Sequence, residues 1–326
     1  MRRYFGVDAS GVGWAHAVNS RAELAAALND PTVHMLEADI LMCSKDLGPS
    51  FRQRFVLQPI MCHPPAKDSD LTFDEFMRTV IASLRGGRKV GLKLDFKQAE
   101  CVAPCLDTLR ARGFCQESSS SYSVNAGEFE DVPLWLNADV IRGPGGREPI
   151  DGPSFVSTCV STCPHATLSL GWTHTGTPLL GYTHAMALAM KKLVAPLRCD
   201  VTLAASAAHL FASANPARAV LIDDVVNGGG VGDGRVRGSS DARVGGSSDA
   251  RVGGSRDAPG RSFTLWGPAP GPVTRWIERE LPPEATYVDV KACNWKEEAV
   301  VRLYVYTRPA WATLHDARLW LFTRRR

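Results

Sequence analysis

The sequence predicts an α/β chain closed as a TIM-type (β/α)8 barrel, and three observations predict it. Short apolar runs with a period of two alternate with longer stretches whose period is near 3.6, the rhythm of repeated strand and helix units. Eight such short runs follow one another, the number a closed barrel needs. The 326 residues accommodate a barrel of about 250 residues with insertions as one domain.

The eight strand candidates are Gly13–Val18, His34–Ile40, Phe55–His63, Val90–Phe96, Leu134–Val140, Thr167–Trp172, Asp200–Ala204 and Ser262–Trp266. A ninth apolar run, Tyr287–Val290, is placed to replace one of these or to cap the end. Between them Ser20 with Glu23, and Thr72 with Glu75, have the spacing of a capping box, in which each side chain satisfies a backbone N–H at the helix start. The helix from Thr72 gathers Phe73, Phe76, Met77, Val80 and Ile81 on one side, a face suited to packing on the outside of a barrel.

Residues 1–227 thus form the first part of the barrel and residues 262–290 its last strand or strands. Residues 228–261 are rich in Gly, Ser, Asp and Arg, with Gly238–Gly245 repeated eight residues later. So short a repeat with so little apolar content reads as a flexible, disordered insertion. Residues 291–326 are an extension whose scattered apolar residues leave a docking helix and a docking strand both open.

Charge is nearly balanced, 37 Lys and Arg against 34 Asp and Glu, so an electrostatic grip on nucleic acid is not expected. No apolar run reaches transmembrane length and none near Met1 makes a signal peptide, so the chain as written reads as soluble and cytoplasmic. Nine cysteines, an odd and scattered set, point to reduced thiols. Cys101 with Cys105 and Cys159 with Cys163 have a spacing of four open to metal pairing, but on helices they read as structural residues.

Chemistry concentrates on the early strands. In Val90–Lys97 the residues Leu92, Leu94 and Phe96 share one face and Lys93, Asp95 and Lys97 the other, which in a barrel is the lumen. Along the second strand Glu37 and Asp39 fall together on the face opposite Leu36, Ala38 and Ile40, ~7 Å apart by the rise per residue. Carboxylates this close call for a cation, and oxygen-only ligands suit Mg2+ or Ca2+, with Asp95 as a third ligand. His16 and His63 end the first and third strands, and Pro64-Pro65 stops the third at the carboxyl rim where barrel enzymes hold their sites. A histidine pair beside a metal can divide phosphoryl transfer into nucleophile or base and acid, while Lys97 neutralises phosphate charge. Asn137 and Asp139 share a face opposite Leu136 and Ala138 and line the lumen either as pocket residues or as a hydrogen-bonded layer.

The ordered set of His16, Glu37-Ala38-Asp39, His63 and Asp95-Phe96-Lys97 resembles the glycerophosphodiester phosphodiesterase superfamily, with Asp95-Phe96-Lys97 closest to its sphingomyelinase D branch. More specifically, Trp14–Ser20, Leu36–Asp39, Pro59–Pro65, Gly91–Lys97, Leu134–Asp139 and Ser169–Thr173 resemble the menorin family. The resemblance implies a phosphodiesterase-like barrel with Glu37, Asp39 and Asp95 as metal ligands, His16, His63 and Lys97 as catalytic residues, and Trp172 shaping the pocket floor beside Lys93. It implies a phosphodiester or phospholipid ligand, or a protein partner bound without turnover in tissue or neuronal patterning or photoreceptor maintenance, among relatives that include secreted and membrane-anchored forms. The chain departs from the superfamily at Trp14-Ala15, where Arg-Gly is usual, and at Pro64, where Asp is usual. It also has no basic residue in Val201–Ser206, where menorin relatives usually carry one.

Overall fold

A computed structural model describes residues 1–46, 55–115, 127–174, 180–226, 260–269 and 271–291. The strands are β1 (Trp14–Ala15), β2 (Met35–Asp46), β3 (Phe55–Met61), β4 (Gly91–Phe96), β5 (Leu134–Arg142), β6 (Thr167–Thr173), β7 (Val201–Ser206), β8 (Arg261–Pro268) and β9 (Thr286–Lys291). The helices are α1 (Arg2–Phe5), α2 (Arg21–Asn29), α3 (Phe73–Arg85), α4 (Val102–Ala111), α5 (Gly152–Thr162), α6 (His184–Val194), α7 (Ala207–Ala212), α8 (Asn215–Val226) and α9 (Gly271–Glu280). Eight parallel strands, in the order β1-β2-β4-β5-β6-β7-β8-β9, curve into a nearly closed TIM-type barrel with helices between them.

The third apolar run is a strand, but not a barrel strand. β3 pairs antiparallel with β2, from Ile40 opposite Met61 to Asp46 opposite Phe55, and the two form a hairpin arm beyond the carboxyl end of the barrel part of β2. Pro59 has no N–H to give a second neighbour, which suits β3 to an edge. The run at Tyr287–Val290 takes the vacant place as β9, paired to β8.

Outer and inner faces separate as the alternation requires. Leu92, Leu94 and Phe96 join the main core between sheet and helices, as do Leu36, Ala38 and Ile40. The α3 face of Phe73, Phe76, Met77, Val80 and Ile81 is buried there too, each side chain worth roughly 1.5–3 kcal/mol on the apolar-area scale. Its capping box is complete between Thr72 and Glu75. At α2 the Ser20 side chain accepts from the Glu23 N–H, whereas Glu23 reaches back to the N–H of Asn19, one residue earlier than a capping box requires. Inside the barrel a smaller cluster of Val12, Met35 and Trp135, with Trp14 and Tyr287 against it, plugs the amino-terminal end. Trp135 meets Trp14 at 5.4 Å and Tyr287 at 4.7 Å between ring centroids.

Reduced thiols are not the rule throughout: Cys115 and Cys163 form a disulfide across 48 residues, tying the chain after α4 to the end of α5. Cys163 is thus taken up by the disulfide, while Cys159, Cys101 and Cys105 are buried free thiols. Counting cysteines misleads here because the bonded pair joins segments with no sequence motif between them. No helix among the described residues is long and apolar enough to cross a membrane. Of the expected insertion 228–261, residues 228–259 lie outside the described residues, whereas Arg261 already begins β8; of the extension 291–326, Lys291 ends β9 and residues 292–326 lie outside the described residues.

Candidate functional site

Parallel register brings the early polar residues to one place. Glu37 lies opposite Lys93, and Asp39 opposite Asp95, on adjacent β2 and β4, and Asp95 lies opposite Asn137 on β5. Glu37, Asp39 and Asp95 are 2%, 3% and 9% exposed, and each can offer one oxygen such that all lie within 4.8 Å of one another. Lys97, just past β4, spans two of them, with Nζ 2.9 Å from Asp39 Oδ1 and 2.6 Å from Asp95 Oδ2. Burial opposes the lysine's charge, but Asp95 and Asp39 outweigh it and raise its pKa. Asp95 is likewise buried, yet Lys97 and Lys93 hold its carboxyl below the usual range. Glu37 goes the other way: burial pushes its carboxyl up against the pull of Lys93, and Asp39 adds to the rise.

His16 follows β1 into the same cluster. Its Nδ1 is 2.9 Å from Asp289 Oδ2 and 3.1 Å from Glu37 Oε2. Burial works against the imidazolium, but the hydrogen bond to Asp289 and the charge of Glu37 together raise its pKa. The next residue, Ala17, has a left-handed φ of 56°, and its N–H donates to Glu37 Oε2 at 2.8 Å. Asn19 then pairs reciprocally with Asp39, its Nδ2 donating to Oδ2 at 2.7 Å and its Oδ1 accepting from the backbone N–H at 2.9 Å.

On the next strand, β5, Asn137 accepts from the Ser169 hydroxyl at 2.6 Å and its amide donates to Asp95. Asp139 sits one step further toward the rim, opposite Gly171, where an added Cβ would come within 2.5 Å of its Oδ1; the glycine makes the room. Burial, then the charge of Asp95, push the Asp139 carboxyl up to about 7. Lys93 is buried at the floor, its Nζ 5.8 Å from the centre of the Trp14 ring.

One expected site residue stands elsewhere, and another reaches the rim by a different route. Trp172 is not on the pocket floor: in phase with Leu168 and Leu170 it joins the outer core, and its indole N–H donates to the Met186 carbonyl of α6 at 3.3 Å. Ser169 and Gly171 take the lumen side of β6, so the residue between Gly171 and Thr173 must face outward. His63 does not end a barrel strand, because β3 is the return arm of the hairpin. It is exposed at the rim and its Nδ1 bonds the Pro64 carbonyl. The preceding Cys62 N–H donates to the Asp39 carbonyl at 2.8 Å, which anchors this turn above the carboxylates.

Two participants went unread in the sequence, Asn19 and Asp289. Asn19 was visible only as the residue before a helix cap. Asp289 carried a usable signal, being the one charged residue in the Tyr287–Val290 run and in phase with Tyr287, which faces the lumen floor. In all, five carboxylates (Glu37, Asp39, Asp95, Asp139 and Asp289) share this lumen with Lys93, Lys97 and His16.

Comparison with known proteins agrees with this geometry at the level of family. Residues 8–227 match the menorin N-terminal domain. The human protein FAM151B is 34% identical over 205 residues, which is 62% of this chain and 64% of that protein, so the chain spans just under two thirds of the relative's length. No solved structure matches the chain. With the matched stretch covering most of the barrel and every carboxylate of the cluster except Asp289, the chain belongs to the menorin family.

Proposed function

We propose that this menorin-family barrel holds a hard divalent cation, Mg2+ or Ca2+, at Glu37, Asp39 and Asp95 and cleaves a phosphodiester such as a glycerophosphodiester or a lysophospholipid. The convergence of three buried carboxylates at the carboxyl ends of parallel strands carries the reading. Lys97 alone bridges Asp39 and Asp95, while Glu37 is left with Lys93 and a histidine it shares with Asp289. Buried acids in such excess over lysine favour a cation, and a donor set of oxygens alone suits a hard one. When bound, the ion would supply Lewis-acid polarisation of a phosphoryl oxygen.

The chain's own groups divide the remaining work. Lys97, kept charged by its two acids, opposes negative charge on the phosphate oxygens. His16, with Nδ1 turned to carboxylates, offers Nε2 as nucleophile or base. His63 at the rim is the candidate to give a proton to the leaving oxygen as its P–O bond breaks.

Thermal melts of the purified chain in EDTA, Mg2+ or Ca2+, beside release of head group from a phosphodiester panel, test the reading. Stabilisation by an ion that disappears in Glu37→Ala, with product that disappears in Glu37→Ala and His63→Ala, is the expected result. An unchanged melting temperature in either ion would remove the metal site. Stabilisation without product from any substrate would support a second reading, a barrel that binds a ligand or protein partner without turnover. The exposure of His63 and the bond of its ring to its own chain favour that reading.

A further inference from the structure

We infer that Asp289 is the positioning residue for His16, and that the candidate site is therefore complete only with the segment after residue 227, beyond the matched family domain. The inference deepens the proposed function and rests on it only in calling His16 a working residue.

The seam of the barrel lies between its terminal strands, β1 and β9, which do not pair with each other. His16 leaves β1 on one side of that seam and Asp289 stands on β9 on the other, 273 residues away in sequence, with Oδ2 2.9 Å from Nδ1. Both atoms that Nδ1 faces, Asp289 Oδ2 and Glu37 Oε2, are carboxylate oxygens, which only accept. Nδ1 must therefore carry a hydrogen, and in the neutral ring Nε2 keeps the lone pair. Among the described residues Nε2 has no hydrogen-bond partner. Of the two acids only Asp289 meets Nδ1 in hydrogen-bond geometry; Glu37 Oε2, 3.1 Å away, is an ion-pair neighbour whose hydrogen bond here comes from the Ala17 N–H at 2.8 Å. Asp289 is itself held: it is 9% exposed and follows Tyr287, whose ring packs on Trp135 at the lumen floor.

The test is the tautomer of His16, read from the 15N shifts of its two ring nitrogens in the full chain at a pH where the ring is neutral. The wild type should show the Nδ1–H form, and Asp289→Ala should lose it in favour of Nε2–H or an exchanging mixture. Asp289→Asn, which keeps an acceptor of the same size, should retain the Nδ1–H form and so separates positioning from a general disturbance of the fold. Unchanged shifts in Asp289→Ala would overturn the inference, since Glu37 would then suffice. A wild type already in the Nε2–H form would overturn it too. Glu37→Gln distinguishes the two readings: it should abolish ion binding if the proposed metal site is right, yet leave His16 as Nδ1–H. Failure of ion binding in the wild type would thus remove the metal site without touching this inference.

Discussion

Replacing Lys97 by Met keeps the length of the side chain and removes the charge that two buried acids depend on. Nζ lies 2.9 Å from Asp39 Oδ1 and 2.6 Å from Asp95 Oδ2, and the lysine side chain is 20% exposed. A unit pair at ~4 Å is worth about 4 kcal/mol at an effective dielectric constant near 20, and desolvation of the ammonium offsets part of it. Breaking a buried pair from one side therefore costs about 3–5 kcal/mol, and two partners put Lys97→Met at the upper end. Urea unfolding in EDTA at neutral pH measures it. The same substitution in an Asp39→Asn background should cost at least ~1 kcal/mol less, because one of the stranded charges is already gone. Mg2+ or Ca2+ should then restore more stability to Lys97→Met than to the wild type, the ion taking over the compensation. A loss below about 1 kcal/mol in EDTA, or an equal loss in both backgrounds, would refute the claim that the cluster is electrostatically loaded.

Asp139 sets a pH dependence in EDTA. A carboxyl raised from 3.8 to about 7 in the fold holds its proton there longer than in the unfolded chain. That contribution to stability is full below pH ~4 and is lost as pH rises through about 7, on the order of 4 kcal/mol for three pH units at about 1.4 each. Asp139→Asn should flatten that decline in denaturant midpoints measured from pH 4 to 8. Ala17→Gly should stabilise the protein by about 1 kcal/mol, because glycine takes the left-handed φ of 56° without a Cβ penalty, and a lower melting temperature would contradict this. Cys115→Ser opens a loop with a sequence separation of 48, for which the chain-entropy estimate is about 4 kcal/mol; thiol titration of the unfolded wild type without reductant should find the pair unreactive.

Much of the site was legible because a parallel barrel turns strand alternation directly into inside and outside. Glu37, Asp39, Lys93 and Asp95 could be placed in the lumen from two short runs, and register did the rest by setting Asp39 beside Asp95. Strand direction is not written in alternation, however. The run at Phe55–Met61 reads the same whether it lies parallel in the barrel or returns along β2, and only Pro59 hints at an edge. That single ambiguity misassigned both the eighth strand and the setting of His63. Trp172 failed for a different reason, since the family pattern supplied its role while its own phase with Leu168 and Leu170 already turned it outward. The Cys115–Cys163 bond was beyond reach because it depends on where two helix ends meet, which no local pattern records.

The placement of Asp289 bears on how the chain is divided. The stretch that matches the family domain ends at residue 227 and contains six of the eight barrel strands, together with β3 and four of the five lumen carboxylates. An open six-stranded sheet would leave the outer edge of β7 unpaired, including Thr202, whose hydroxyl is 2.7 Å from that of Thr264 on β8. It would also leave His16 facing Glu37 alone. The strands after residue 260 thus do two things at once, closing the sheet and placing an acid on the first histidine. The repeat insertion enters between α8 and β8, on the chain path that joins these two parts. Asp289 stands on β9, and the pairing of β9 with β8 is what carries this acid to His16.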